Sequence, residues 1–349
     1  MEEYFSEILE SVYDISDSSK EQFGIGYDKI IAAIQSGFGK TNINTEDFYI
    51  YPIGEYDYGT SIEELVPYKI IFEYSCKKSD LVKKLNYVKL RDKKRLSTKE
   101  KLIMQSMQGL TEYDKIFTNE ELALTIQDFI NAAEVGSTTI KQNSVFVRLN
   151  RGDKVYNYVI IIAYRFLPEK EGEDETSKIH FKYKYQNYEL DYQKFQDNFE
   201  QKVENTDQYY MDTIVLFKYM EFMLLYEEKI NYKTFTEFNL YENLFYNVPD
   251  ALFANSLTDS IVNSINYLAN ADIDKFVTVD GQKLIKDKTE KKIYTKYVQY
   301  LTLTAQTFYK NLTEALNQED EDENKNQTQS EEKTEENAKK DEKTDKKDE

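Results

Sequence analysis

Apolar residues in the first 36 positions recur at helical spacing. Tyr4, Ile8, Leu9 and Val12 form one run, Ile30, Ile31 and Ile34 another, and both predict helix. Gly37 and Gly39 follow the second run as stop signals. Phe48 to Ile53 and Tyr68 to Tyr74 are short runs of aromatic and β-branched residues and predict strands. Residues 77–101 are basic and read as partly helical. Residues 119–134 predict an amphipathic helix with Asn119 as its N-cap. Val145 to Leu149 and Val155 to Phe166 predict two strands joined through Arg151, Gly152 and Asp153. Within the second, Val159 to Ala163 is continuously apolar, as expected of a strand buried on both faces.

From about residue 189 the pattern turns helical, with runs near 190–204, 207–229, 236–247, 258–270 and 289–317. Pro249 breaks the series after Asn247 and Val248. The order of helix, strands and then helices predicts an α+β chain. A mixed-sheet domain is expected over residues 1–188 and a helical domain over 189–317. Residues 318–349 hold no aliphatic or aromatic residue except Ala338. Such a Lys/Glu-rich tail cannot offset the entropy of ordering and is expected to be disordered.

Composition narrows the class. With 349 residues, 40% of them hydrophobic, the chain can bury a sizeable core without disulfides or metals. Cys76 is the only cysteine, which excludes an intrachain disulfide and fits a reducing, cytoplasmic setting. The acidic start MEEYFSEILE lacks the basic segment of a signal peptide. The longest apolar candidate, Ile214 to Tyr226, is interrupted by Lys218 and Glu221, so no membrane span is expected.

The formal net charge is −19, and residues 319–349 carry 14 Asp/Glu against 7 Lys. Such a chain resists non-specific contact with nucleic acid. Residues 77–101 run the other way, with 11 Lys/Arg against 3 Asp/Glu. Lys83, Lys84, Lys89, Arg91, Lys93, Lys94 and Arg95 form a candidate patch for a phosphate backbone, with Tyr87 placed to stack on a base. A solvated basic helix face is the plainer alternative.

Several chemistries are excluded or weakened. One Cys and one His are too few for a Cys/His zinc site. A catalytic triad would have to run through His180, and no nucleophile elbow accompanies it. His180 lies in an alternating run and reads as an edge-strand side chain. Gly37-Phe38-Gly39-Lys40-Thr41 imitates the end of a P-loop, but Ile34 stands where that motif needs glycine, and a helix precedes it.

Three blocks carry a family resemblance. The first is the turn Ile53-Gly54-Glu55-Tyr56-Asp57-Tyr58-Gly59-Thr60-Ser61-Ile62. The second is the strand from Asn157 through Tyr158, Val159 and Ile160 to Tyr164 and Arg165. The third is Glu242-Asn243-Leu244-Phe245-Tyr246-Asn247-Val248-Pro249-Asp250, with Leu252-Phe253 and later Phe276-Val277 and Leu284. Together they resemble the DNA polymerase β-like nucleotidyltransferase superfamily. The likeness is to its bacterial members related to oligoadenylate synthetases and cyclic-oligonucleotide synthases. The resemblance implies a nucleotidyltransferase-like mixed sheet, a helical domain behind it and a nucleotide cleft between them.

It also implies a site, from which this chain departs. The turn serine of the family falls at Glu55, its paired metal-binding aspartates at Pro67 and Lys69, and its third aspartate at Asn157. A lysine on that strand puts positive charge where two cations would sit. The resemblance therefore implies a degenerate catalytic site without a metal. Gly54, Glu55, Gly59, Thr60, Lys69 and Lys218 are the candidate nucleotide-binding residues.

Three functions follow as expectations. The first is an inactive nucleotidyltransferase fold that binds a nucleotide, an RNA or a protein partner at the interdomain cleft. The second is an active Mg²⁺-dependent enzyme with relocated acids. Two-metal transfer needs carboxylates converging on ions roughly 3.5–4 Å apart, and Glu55, Asp57, Glu63, Glu64 and Glu73 are the acids at hand. Solvated surface acids are the plainer reading of all five. The third is a purely structural assembly protein that reuses the fold.

Overall fold

The computed structural model describes residues 2–41, 45–55, 57–60, 67–93, 97, 100, 116–152, 154–170, 177–183, 186–226, 238–253 and 256–314. The tail expected over 318–349 lies outside them.

Seven strands form one mixed sheet: β1 (Phe48–Ile53), β2 (Tyr68–Lys77), β3 (Ser137–Lys141), β4 (Ser144–Arg151), β5 (Lys154–Leu167), β6 (Lys178–Tyr183) and β7 (Gln186–Asp191). The order is β1-β2-β5-β4-β3, with β6 also paired to β5 and β7 to β6. β2 and β5 are parallel and central, with Lys69 opposite Val159 in register. Their runs Ile70–Phe72 and Tyr158–Ala163 are buried on both faces, as continuous apolar strands must be. β1 tolerates Pro52 because it lies at the sheet edge.

Helices cover both faces. α1 (Glu2–Gly39), α2 (Lys78–Arg91) and α3 (Asn119–Ala132) precede or interrupt the sheet. α4 (Tyr192–Asn205), α5 (Tyr209–Tyr226), α6 (Leu240–Tyr246), α7 (Leu257–Asn270) and α8 (288–314) follow it. Side chains alternate across a strand. Ile70, Phe72 and Tyr74 of β2, with Ile160 and Ile162 of β5, face the C-terminal half of α1 and α3. Ile71, Val159, Ile161 and Ala163 face the helical domain. The sheet is thus a filling between two helical layers, and Lys69 shares the face of Ile71.

α1 serves both layers. Phe5, Ile8, Leu9 and Val12 join the core of the helical domain, whereas Ile30, Ile34 and Phe38 join the core on the far side of the sheet. The two predicted runs are therefore one helix. Gly37 lies within it, packed so close to Phe129 that a Cβ would meet the ring at 2.2 Å. The helix ends at Gly39, as Lys40 and Thr41 turn back on the carbonyls of Gly37 and Phe38. The P-loop imitation is this helix end.

Other boundaries shift for local reasons. Thr118, not Asn119, caps α3, because its hydroxyl accepts from the Glu121 amide while the Glu121 carboxylate accepts from the Thr118 amide. β3 was not expected from the sequence. The sheet runs to Asp191, three residues past the expected domain boundary, and Asp191 then caps α4. His180 is not on an edge strand: β6 lies between β5 and β7. Its ring packs on Phe166, 4.8 Å between centroids.

Candidate functional site

The glycine turn after β1 is built by backbone geometry. Gly54 and Gly59 adopt φ of +91° and +74°, values that a Cβ disfavours. The amides of Asp57 and Tyr58 donate to the Gly54 carbonyl, and the Thr60 amide donates to that of Glu55. Tyr58 anchors the turn to the helical domain by packing on Phe195, 4.6 Å between ring centroids. Gly54 also meets Lys69, whose Nζ would lie 3.4 Å from a Cβ there.

Lys69 is the second residue of β2 and only 3% exposed. Its ammonium is paired with the Glu55 carboxylate. The rings of Phe238 and Tyr183 lie 5.7 and 6.0 Å from it and supply cation–π attraction. Burial alone would raise the Glu55 carboxyl, but the charges of Lys69 and Lys218 and the Lys69 hydrogen bond outweigh it and bring it down to about 2. Glu55 is therefore ionised at any ordinary pH.

Lys218, on α5, lies beyond Glu55. It donates to the Thr60 carbonyl and hydroxyl oxygens, each at 3.0 Å, and to Glu242 Oε1 at 2.7 Å. The Thr60 hydroxyl donates to the same carboxylate oxygen at 2.7 Å. Glu242 was quoted in the third block of the sequence but given no role; here it is 1% exposed and joins α6 to the turn. The Tyr241 ring lies 5.6 Å from Lys218 Nζ, and its hydroxyl donates to Glu221, which also accepts from Tyr300 of α8. Burial raises the Glu221 carboxyl despite those two hydrogen bonds.

The structure thus brings Gly54, Glu55, Gly59, Thr60, Lys69 and Lys218 together, in a cluster of two lysines and two glutamates. Among the described residues it does not assemble a metal site from the expected acids. Pro67 precedes β2, and Asn157 is exposed near the start of β5, across from Arg148. The remaining acids diverge. Asp57 accepts from Tyr192 at 2.6 Å, and Glu73 is taken by Arg165 and by Tyr51 at 2.7 Å. Glu63 and Glu64 lie outside the described residues. Among the described residues no group of three Asp, Glu, His or Cys side chains could hold a metal ion. Among the described residues the donors do not converge as the paired cations of two-metal transfer require.

Four residues of the basic patch are paired with acids. Lys83 pairs with Asp80 at 3.0 Å, Lys84 with Glu121 at 3.3 Å, Arg91 with Asp92 at 3.0 Å and Lys93 with Glu100 at 2.7 Å. Lys84 is also buried, because it ties α2 to α3. Lys89 is exposed, and Lys94 and Arg95 lie outside the described residues.

A cavity of about 330 Å³ has Phe238, whose ring also meets Lys69, in its wall, but neither Lys69 nor the glycine turn lines it. It lies between the β6–β7 hairpin and the start of α8, with Phe181, Tyr188, Asp280, Gln282 and Tyr294 among its lining. The alternating run around His180 and Leu284 were noted from sequence, but nothing in the local pattern marks the hairpin, Phe238 and the 278–294 segment as neighbours.

Residues 197–310 match the family model of the cGAS/DncV-like nucleotidyltransferase C-terminal helical domain. The cyclic UMP-AMP synthase of Rhodothermus marinus (strain SG0.5JP17-172) is 26% identical over 209 residues, 58% of this chain and 68% of that protein. The R. marinus CdnE c-UMP-AMP synthase structure with Apcpp and Upnpp superposes with a TM-score of 0.53 at 17% identity, over 79% of this chain and 90% of that one. The STING-associated CdnE c-di-GMP synthase from Capnocytophaga granulosa gives 0.54 at 12% identity, over 86% and 83%. A helical domain that matches this family model thus lies behind a mixed sheet, in an overall fold shared with these cyclic-nucleotide synthase structures.

Proposed function

We propose that this chain binds a nucleotide in the cleft between sheet and helical domain, with Lys69 in place of a metal as the charge that meets the phosphates. One observation carries this reading: a buried lysine, held against the glycine turn by Glu55, occupies the strand position where the resemblance expects a metal-binding aspartate. Lys218 backs the same turn, and the cavity past Phe238 offers room for the rest of the ligand. On this reading the cleft serves binding, as a scaffold subunit; among the described residues no group of three acids stands ready for two-metal transfer.

The test is a thermal shift of the purified chain with each NTP, with and without Mg²⁺ or Mn²⁺. A ligand that binds only the folded state raises the midpoint. A shift without metal that disappears in Lys69→Ala supports the reading. No shift with any nucleotide overturns it.

A second reading, an active cyclic-nucleotide synthase with relocated acids, is favoured by the relatives, whose names describe synthases. It needs Mg²⁺ held by Glu55, Asp57, Glu63 or Glu73, of which Glu63 lies outside the described residues. Labelled NTPs decide it: a cyclic or linear oligonucleotide product, formed only with metal, would establish this reading in place of the first.

A further inference from the structure

The charges around the turn balance without any ligand. Lys69 and Lys218 face Glu55 and Glu242, and both lysines are buried. An arriving phosphate would add negative charge to a neutral, poorly solvated cluster unless one carboxylate left. The two carboxylates are not equally free to leave. Glu242 is 1% exposed and takes hydrogen bonds from both Lys218 and Thr60. Glu55 is 14% exposed and bonded to Lys69. Its carbonyl keeps the turn closed through the Thr60 amide, so the side chain can swing out while the backbone stays in place.

We propose that Glu55 is a tethered competitor at the Lys69 site, an internal carboxylate that every anionic ligand must displace. This rests on the reading that phosphate meets Lys69. It assigns Glu55 the opposite role from a ligand contact. A buried ammonium cannot be left without a partner at small cost, so exchange of one anion for another is the only inexpensive way to open the site. The apparent affinity of any anion is then its intrinsic affinity reduced by the fraction of molecules with Glu55 swung out. That reduction belongs to the protein, not the ligand. Removing the carboxylate should therefore tighten all anions by one common factor, about tenfold or more if Glu55 is out in 10% of molecules or fewer.

The experiment is calorimetric titration with inorganic pyrophosphate and with ATP in metal-free buffer. It compares wild type, Glu55→Gln, Glu55→Asp and Glu55→Gln with Lys69→Met. The proposal expects Glu55→Gln to tighten both probes by the same factor and the added Lys69→Met to abolish the gain. Glu55→Asp, which keeps the charge on a shorter arm and guards against a folding defect in the Gln variant, should give a smaller gain. Unchanged or weaker binding in Glu55→Gln, while wild type binds, overturns the competitor role and leaves the anion site standing. A gain that grows with ligand charge also overturns it, because that is the signature of a stationary repelling carboxylate. If neither probe binds wild type or any variant, the anion site at Lys69 itself is wrong.

Discussion

Lys218 and Glu242 join the glycine turn to the helical domain: the ammonium lies 2.7 Å from Oε1, and both groups bond to Thr60. The three residues come from the turn, α5 and α6. They form one closed polar knot inside an apolar interface that includes Tyr210 and Phe245.

Breaking one partner of a buried pair strands the other charge. Glu242→Gln should therefore cost about 3–5 kcal/mol, read from the urea midpoint. Replacing both partners, as Lys218→Met with Glu242→Leu, should cost less than that single change. A double variant less stable than Glu242→Gln would show that the knot contributes by more than cancelling its own desolvation.

The Glu55 carboxyl is held down to about 2 by Lys69 and Lys218, against the raising effect of burial. Its folded value lies below its unfolded one, so the stabilisation is present above the ordinary carboxylate range and is lost as pH falls toward 2. Wild-type stability should fall between about pH 5 and 2, and Glu55→Gln should flatten that limb. Chemical denaturation across the acid range, followed by circular dichroism, checks the slope.

Gly37 inverts the usual helix rule. Glycine to alanine inside a helix normally stabilises by about 1 kcal/mol. Here the new methyl would meet the Phe129 ring at 2.2 Å. Gly37→Ala should destabilise by about 1–3 kcal/mol, the typical cost of overpacking. Gly39, with open space around it, should accept alanine far better. A paired thermal melt of the two variants separates the cases.

Thr118 and Glu121 form a reciprocal cap on α3. Thr118→Ala should cost about 0.5–2 kcal/mol, and Thr118→Ser should recover most of it. Hydrogen exchange at the first amides of α3 would show the loss directly.

Much of the scaffold was legible from the chain because local pattern and tertiary role agree there. β1 was read to the residue, and the buried run of β5 announced a central strand. Residues 1–36 read as helical, and their apolar positions fall in two runs because they face two different cores. Between them the sequence DISDSSKEQ offers almost nothing to bury. β3 was missed because Ser137–Lys141 alternates too weakly for a strand until β4 lies beside it. The turn residues and Lys218 were placed by resemblance, and the structure brings them together. Glu242, Phe238 and Tyr183 could not be connected to them by period or spacing, since they meet the site only through the packing of α6 and β6 on the sheet face. One counterion of the basic helix was equally hidden: Lys84 finds Glu121 across two elements, not along one.

The double allegiance of α1 bears on how the molecule comes apart. At 1.5 Å per residue its 38 residues span about 57 Å. Its first turns are wedged among α5, α7 and α8, and its last turns against the opposite side of the sheet. Neither layer can melt while the other keeps its full core, because each would have to release or fracture the same rod. The sheet and the helical domain are in this sense a single cooperative unit despite their separate stretches of chain. A hinge motion between the two layers would have to bend or break this same rod.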